Sequence, residues 1–149
     1  MLSKKAKYAI NALVYLAKHG GDTPVQTAQI ALSENIPNKF LEAIMLELKK
    51  GGILASKKGR NGGYFLRLAP EDIQMAEVVR LFDGAIALLP CVTYKYYERC
   101  DECHDEKTCG IRAAFLNLRN QTVELLKLET LATIIAREQE LIKRGQKPS

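Results

Sequence analysis

Apolar residues recur at helical spacing over residues 3–19, with Tyr8, Leu13 and Leu16 on one side, and the run stops at Gly20-Gly21. That pattern predicts an amphipathic helix with a glycine stop. A loop with Pro24 follows, then a short helix from Thr27 with Ala28, Ile30 and Ala31 available to pack. Ser33-Glu34-Asn35 reads as a tight polar turn anchored by Ile36, and Pro37 suits the first position of the next helix, where its missing N–H costs nothing. That helix carries Leu41, Ile44, Met45 and Leu48 at i, i+3, i+4, i+7 and ends at Lys49-Lys50-Gly51-Gly52, with cations at the negative end of the helix dipole.

The period then changes. Residues 53–58 and 63–68 are short β-prone runs on either side of Gly59-Arg60-Asn61-Gly62-Gly63, which predicts a hairpin. Residues 71–82 return to helical spacing, with Ile73, Val78, Val79 and Phe82 toward the core and Gly84 as breaker. Further on, Ile111, Ala114, Phe115, Leu118, Thr122, Leu125 and Leu126 hold helical spacing for about four turns. A final helix with Leu131, Ile134, Ile135, Leu141 and Ile142 is expected to pack back.

These elements predict a mainly α fold: a winged helix-turn-helix with a small β-hairpin wing, followed by a long C-terminal helix. The expected division is residues 1–83 for the winged helix-turn-helix with its connecting helix, 84–110 for a cysteine-containing sensor loop, 111–144 for dimerisation helices and 145–149 for a flexible tail. In a helix-turn-helix the second helix enters the major groove by its N-terminal end. Asn38, Lys39 and Glu42 point away from the apolar stripe there, and their side chains can reach base edges or phosphates. Lys57, Lys58 and Arg60 cluster at the hairpin, with Arg60 placed to enter an A·T-rich minor groove. The long helix is expected to pair with its symmetry mate, since a two-fold operator calls for a two-fold protein.

Charge sharpens this division. The 149-residue chain has a net charge of +5, but residues 1–68 hold 11 Lys and Arg against 4 Asp and Glu, while residues 69–149 hold 11 against 13. The basic half is the candidate polyanion surface. Lys4, Lys5 and Lys7 before an apolar stretch imitate a signal peptide, but Asn11 interrupts the run and no small-x-small cleavage site follows. With no apolar run of spanning length, the expectation is a cytoplasmic protein that engages no membrane.

All four cysteines fall within nineteen residues, as Cys91-x8-Cys100-x2-Cys103-x5-Cys109. Loop spacing of this kind suits an iron–sulfur cluster. Four thiolates also suit tetrahedral zinc, although zinc ribbons usually offer two short pairs and only Cys100-x2-Cys103 is present. A thiol or disulfide redox switch is a third use. The acidic residues Glu98, Asp101, Glu102, Asp105 and Glu106 crowd the same loop, which argues against free thiolates and against DNA contact. No serine triad motif, H-E-x-x-H or Gly-rich cofactor loop is present, so neither an enzyme nor a small-molecule substrate is expected. A thiol-redox or zinc protein that uses the winged helix for protein contacts is the alternative.

Several segments carry a resemblance: residues 2–9 (Leu2 to Ala9), Ile36-Pro37-Asn38-Lys39-Phe40-Leu41-Glu42, Gly51-Gly52-Ile53-Leu54 and Gly59-Arg60-Asn61-Gly62-Gly63-Tyr64. In this order they resemble the IscR/NsrR/CymR group of bacterial winged-helix regulators along nearly the whole chain. The resemblance implies a homodimeric transcription factor on a palindromic double-stranded DNA operator, often a repressor. It also implies that many members hold a 2Fe–2S or 4Fe–4S cluster on three cysteines, and that others carry none. On that pattern Cys103 and Cys109 match the last pair, Cys91 takes the first place if an insertion around residues 94–98 is allowed, and Cys100 is extra. A histidine ligand used by some members is replaced by Arg112, and Lys7 stands where an acidic ligand would come from the first helix. The expectation is an all-cysteine site with Cys100 as fourth ligand, holding 2Fe–2S in preference to 4Fe–4S, with zinc as the lesser alternative.

Overall fold

The computed structural model of the chain describes residues 1–145. Among these residues six α-helices surround one core, and a two-stranded sheet stands at its edge. Helix α1 (Lys4–His19) starts where the Ser3 hydroxyl accepts the Ala6 N–H at 3.0 Å. Its inward face is Ala6, Ala9, Ala12, Leu13 and Leu16, all essentially buried. The alanines let neighbouring helices approach closely, so α1 is the axis on which α2, α3, α4 and α6 pack.

Helix α2 (Thr27–Glu34) includes Ser33 and Glu34, which had been expected in the turn. The chain reverses at Asn35 instead, in the left-handed region at φ 53°, and the Ile36 N–H returns to the Ala31 carbonyl at 2.9 Å. Ala28 is exposed; Ile30 and Ala31 face inward. Helix α3 (Asn38–Lys50) begins one residue later than expected, with Pro37 in extended geometry as its N-cap. Leu41, Ile44, Met45 and Leu48 are fully buried, each contributing about 1.5–3 kcal/mol of transfer free energy.

Strands β1 (Leu54–Lys57) and β2 (Gly63–Leu66) pair antiparallel, with Leu54 opposite Leu66 and Lys57 opposite Gly63. Val25 adds a third rung, exchanging both backbone bonds with Tyr64 at 2.9 and 2.8 Å. This contact requires glycine at 63. Its φ is +146°, and a Cβ would stand 2.4 Å from the Val25 carbonyl oxygen. At Gly62 a Cβ would stand 2.1 Å from the Lys57 carbonyl oxygen.

The segment expected as one helix over 71–82 divides in two. A 3-10 turn at Pro70–Asp72 precedes helix α4 (Met75–Asp83), and Ile73 drops between them into the core. Pro70 sets that turn, while the Ile73 carbonyl bonds to the Leu131 N–H across the molecule. A second 3-10 turn, Pro90–Val92, leads into the cysteine segment. Helix α5 (Gly110–Leu128) follows, then α6 (Leu131–Lys143), opened by a reciprocal Thr130–Thr133 capping box. Leu131 is fully buried, and Lys18 of α1 pairs with Glu138 of α6, so α6 does fold back. The expected tail at 145–149 lies, beyond Gly145, outside the described residues. No described helix is long and apolar enough to cross a membrane.

Candidate nucleic-acid interface and cysteine segment

Helices α2 and α3 with the β1–β2 hairpin form the predicted winged helix-turn-helix. Asn38, Lys39 and Glu42 are all exposed at the start of α3. One helical turn separates Asn38 from Glu42, and the Asn38 amide donates to the Glu42 carboxylate at 2.9 Å. Lys39 beside them enters no ion pair among the described residues. Among the described residues the face therefore presents one cation without an ion pair, flanked by a hydrogen-bonded amide–carboxylate pair.

Lys57, Lys58 and Arg60 are exposed on the wing, and none pairs with a described carboxylate. The wing itself is held firmly. Gln26 donates to the Arg60 carbonyl at 3.3 Å, the Gly62 N–H closes onto the Gly59 carbonyl at 3.0 Å, and Lys49 of α3 donates to Ser56 at 2.6 Å. These contacts fix the wing tip relative to α3. Gln26 and Val25 had no sequence signal as wing supports, because neither is patterned as part of a strand.

The cysteine segment is less ordered in its pattern. Cys91 is buried in the 3-10 turn against α5, Cys100 is exposed, and Cys103 and Cys109 are half-buried. Among the described residues no three His, Cys, Asp or Glu side chains gather closely enough to hold a metal ion. The four thiols expected to share one site are therefore not brought together. Local bonds hold them where they are. The Cys103 N–H bonds to the Cys100 carbonyl at 3.1 Å, and the Arg99 guanidinium donates to the Cys103 and His104 carbonyls. Cys109 caps α5, its sulfur accepting the Arg112 N–H at 3.4 Å.

Cys100 donates its thiol hydrogen to the Glu102 carboxylate at 2.9 Å. That bond pushes the Cys100 thiol above its ordinary value and holds the Glu102 carboxyl below the usual carboxylate range. Tyr97 is likewise pushed up by its hydrogen bond to Glu106. Acidic crowding thus acts on this loop through one hydrogen-bonded pair at each place, and Cys100 is kept as a thiol.

Helix α5 divides its apolar residues between two faces. Its intrachain face is Arg119 and Val123, flanked by half-buried Phe115, Leu116 and Leu126. Ile111, Leu118, Leu125 and Leu128 stand 67, 47, 64 and 73 % exposed. Ile111, Leu118 and Leu125 are spaced by sevens, an apolar seam that this chain leaves uncovered.

Residues 2–137 match the Rrf2 family, described as iron-dependent transcriptional regulators. An rrf2-like HTH-type transcriptional regulator of Rhodobacter capsulatus is 42 % identical over 139 residues, covering 91 % of this chain and 93 % of that protein. Among solved structures, CymR, the global cysteine regulator of B. subtilis, superposes with a TM-score of 0.75 at 24 % identity, over 92 % of this chain and 97 % of that one. IscR of T. potens gives a TM-score of 0.73 at 23 % identity, over 100 % and 93 %. At those identities the two structures establish the shared winged-helix fold.

Proposed function

Because the chain belongs to the Rrf2 family of transcriptional regulators, we propose that it is a cytoplasmic, homodimeric repressor that binds a palindromic operator. The observation that carries this reading is the pairing of an unpartnered cationic helix start with a rigidly held cationic wing. Lys39, with Asn38 and Glu42, reads the major groove. Lys57 and Lys58 contact the backbone, and Arg60 enters the flanking minor groove, where a narrow A·T tract concentrates negative potential. The α5 seam of Ile111, Leu118 and Leu125 supports the dimer: two such seams facing each other bury what one chain leaves in water.

In this reading residues 84–110 are the sensor and 111–144 the dimerisation unit. The donor chemistry of Cys91, Cys100, Cys103 and Cys109 fits an iron–sulfur cluster, 2Fe–2S before 4Fe–4S, with zinc second. Their positions do not yet converge, so holding a cluster requires the 92–109 loop to draw in. A bound cluster would supply a redox-sensitive, oxygen-labile centre. What the chain supplies is the linkage: Cys109 opens α5, so any rearrangement of the loop acts at the first turn of the dimer helix. A thiol redox switch without a metal is the second reading, since Cys100 is exposed and Cys103 lies beside it, its N–H bonded to the Cys100 carbonyl at 3.1 Å.

Anaerobic reconstitution followed by absorbance and iron and sulfide analysis separates the two. Coloured protein with stoichiometric iron and sulfide supports the cluster; colourless, iron-free protein eliminates it and leaves the thiol switch. Genomic footprinting of reduced and loaded protein tests the operator claim, which fails if no palindromic site is protected.

A further inference from the structure

Between the C-terminal end of α4 and the middle of α5 lies a cavity of about 340 Å³ that includes none of the four cysteines. Its floor is Arg119, only 8 % exposed, on the intrachain face of α5. A buried arginine normally faces a carboxylate or has its N–H groups taken up by carbonyls, since an unpaired buried charge is costly. Arg119 has neither: its buried Nε finds no hydrogen-bond partner, and no described carboxylate lies within ion-pair distance. One face of the guanidinium is covered by the Tyr94 ring, 4.0 Å from Cζ to the ring centroid. The N–H edge remains for something else.

The rest of the lining says what that is. Arg80 and Lys95 add two more cations, no acidic residue lines the cavity, and Val92 and Val123 contribute apolar wall. A planar arginine fork matches a carboxylate with two parallel hydrogen bonds. The aromatic and aliphatic wall suits an apolar body rather than a fully hydrated inorganic ion, and the volume is that of a small-ligand pocket. We propose that this cavity binds a small organic carboxylate with an apolar or aromatic body, its carboxylate held by Arg119 and assisted by Arg80 and Lys95. The ligand would bridge α4, which packs on α1 of the DNA-binding half, to α5, beside the turn that holds Cys91. Its use as an effector rests on the operator-binding reading; its binding does not.

The test is isothermal titration calorimetry on the full chain without DNA, at matched ionic strength, with sodium benzoate, sodium sulfate and sodium chloride as probes. The expected result is saturable binding of benzoate at one per chain, weakened at least about tenfold in Arg119→Met. Ala87→Phe, which fills the cavity without touching a charge, is expected to abolish it and decides the matter if the arginine variant fails to fold. The proposal is overturned if benzoate gives no saturable heat, which is also the outcome if a second copy of the chain supplies a carboxylate to Arg119. It is overturned equally if sulfate or chloride binds as tightly as benzoate, or if Ala87→Phe binds like wild type. Because no operator is present, failure here is distinct from failure of DNA binding.

Discussion

Substituting Gly63 by alanine tests how the wing is held. Two costs act at this position. The backbone sits at φ +146°, a conformation nearly reserved for glycine, and forcing another residue there costs about 1–3 kcal/mol. In addition, the new Cβ would lie 2.4 Å from the Val25 carbonyl oxygen, so the strand must move away. Moving it breaks the two bonds between Val25 and Tyr64, each contributing about 1 kcal/mol net. The expected total is about 3–5 kcal/mol. Gly59 is the internal control. Its φ is +107°, but nothing lies within 4 Å of its would-be Cβ, so Gly59→Ala carries only the conformational cost of about 1–3 kcal/mol. Urea unfolding of the three proteins measures both values. If Gly63→Ala is no less stable than Gly59→Ala, the Val25 rung does not hold the wing as described.

On the proposed dimer, wild type should sediment as a dimer, and glutamate at Leu118 and Leu125, which places charge on the exposed α5 seam, should give a monomer of unchanged helicity; a dimer that persists would place the interface elsewhere. The Glu129–Arg137 pair, at 2.7 Å, holds the Glu129 carboxyl below its ordinary value chiefly through the arginine hydrogen bond. Its contribution, small at so exposed a site, is present in full above about pH 5 and disappears as pH falls through the depressed folded value. The stability gap between wild type and Arg137→Ala should therefore shrink in acid; a gap that widens would reverse the sign. Glu102→Ala removes the acceptor that favours the protonated Cys100 thiol, so alkylation of Cys100 by iodoacetamide at neutral pH should speed up, and an unchanged rate would show that the Glu102 bond does not control it.

How much of this was legible in the sequence varies with the kind of signal. The stripe of Leu41, Ile44, Met45 and Leu48 and the glycine-flanked hairpin were visible because local pattern and tertiary packing agree. The cationic groups at Lys39 and Arg60 were visible for the same reason: an exposed charge on a patterned element has only one side to face. Which apolar residues of α5 face its own chain was not, because that helix has two apolar faces and periodicity alone does not choose between them. Arg119 was hidden there, since a charged residue between apolar neighbours is ordinarily placed outside. Here its stem packs inward and its head lies under Tyr94, a contact across 25 residues of chain that no local pattern encodes. The cysteines show the opposite limit. Their spacing is explicit, yet spacing in an irregular loop does not determine which thiols converge: Cys100 and Cys109 are taken up by local bonds to Glu102 and Arg112, and no three ligands gather among the described residues.

In the proposed complex, α3 and the wing grip DNA through Lys39 and Arg60. Fluorescence anisotropy with a footprinted operator, read across a salt series, measures that grip. Binding should weaken steeply as salt rises, since several phosphate contacts release counterions. Lys39→Ala should weaken the half-site and Arg60→Ala the A·T-rich flank, each by about 1–3 kcal/mol, while Lys127→Ala, on the far helix, should change nothing. Wild-type affinity in both Lys39→Ala and Arg60→Ala would contradict the account.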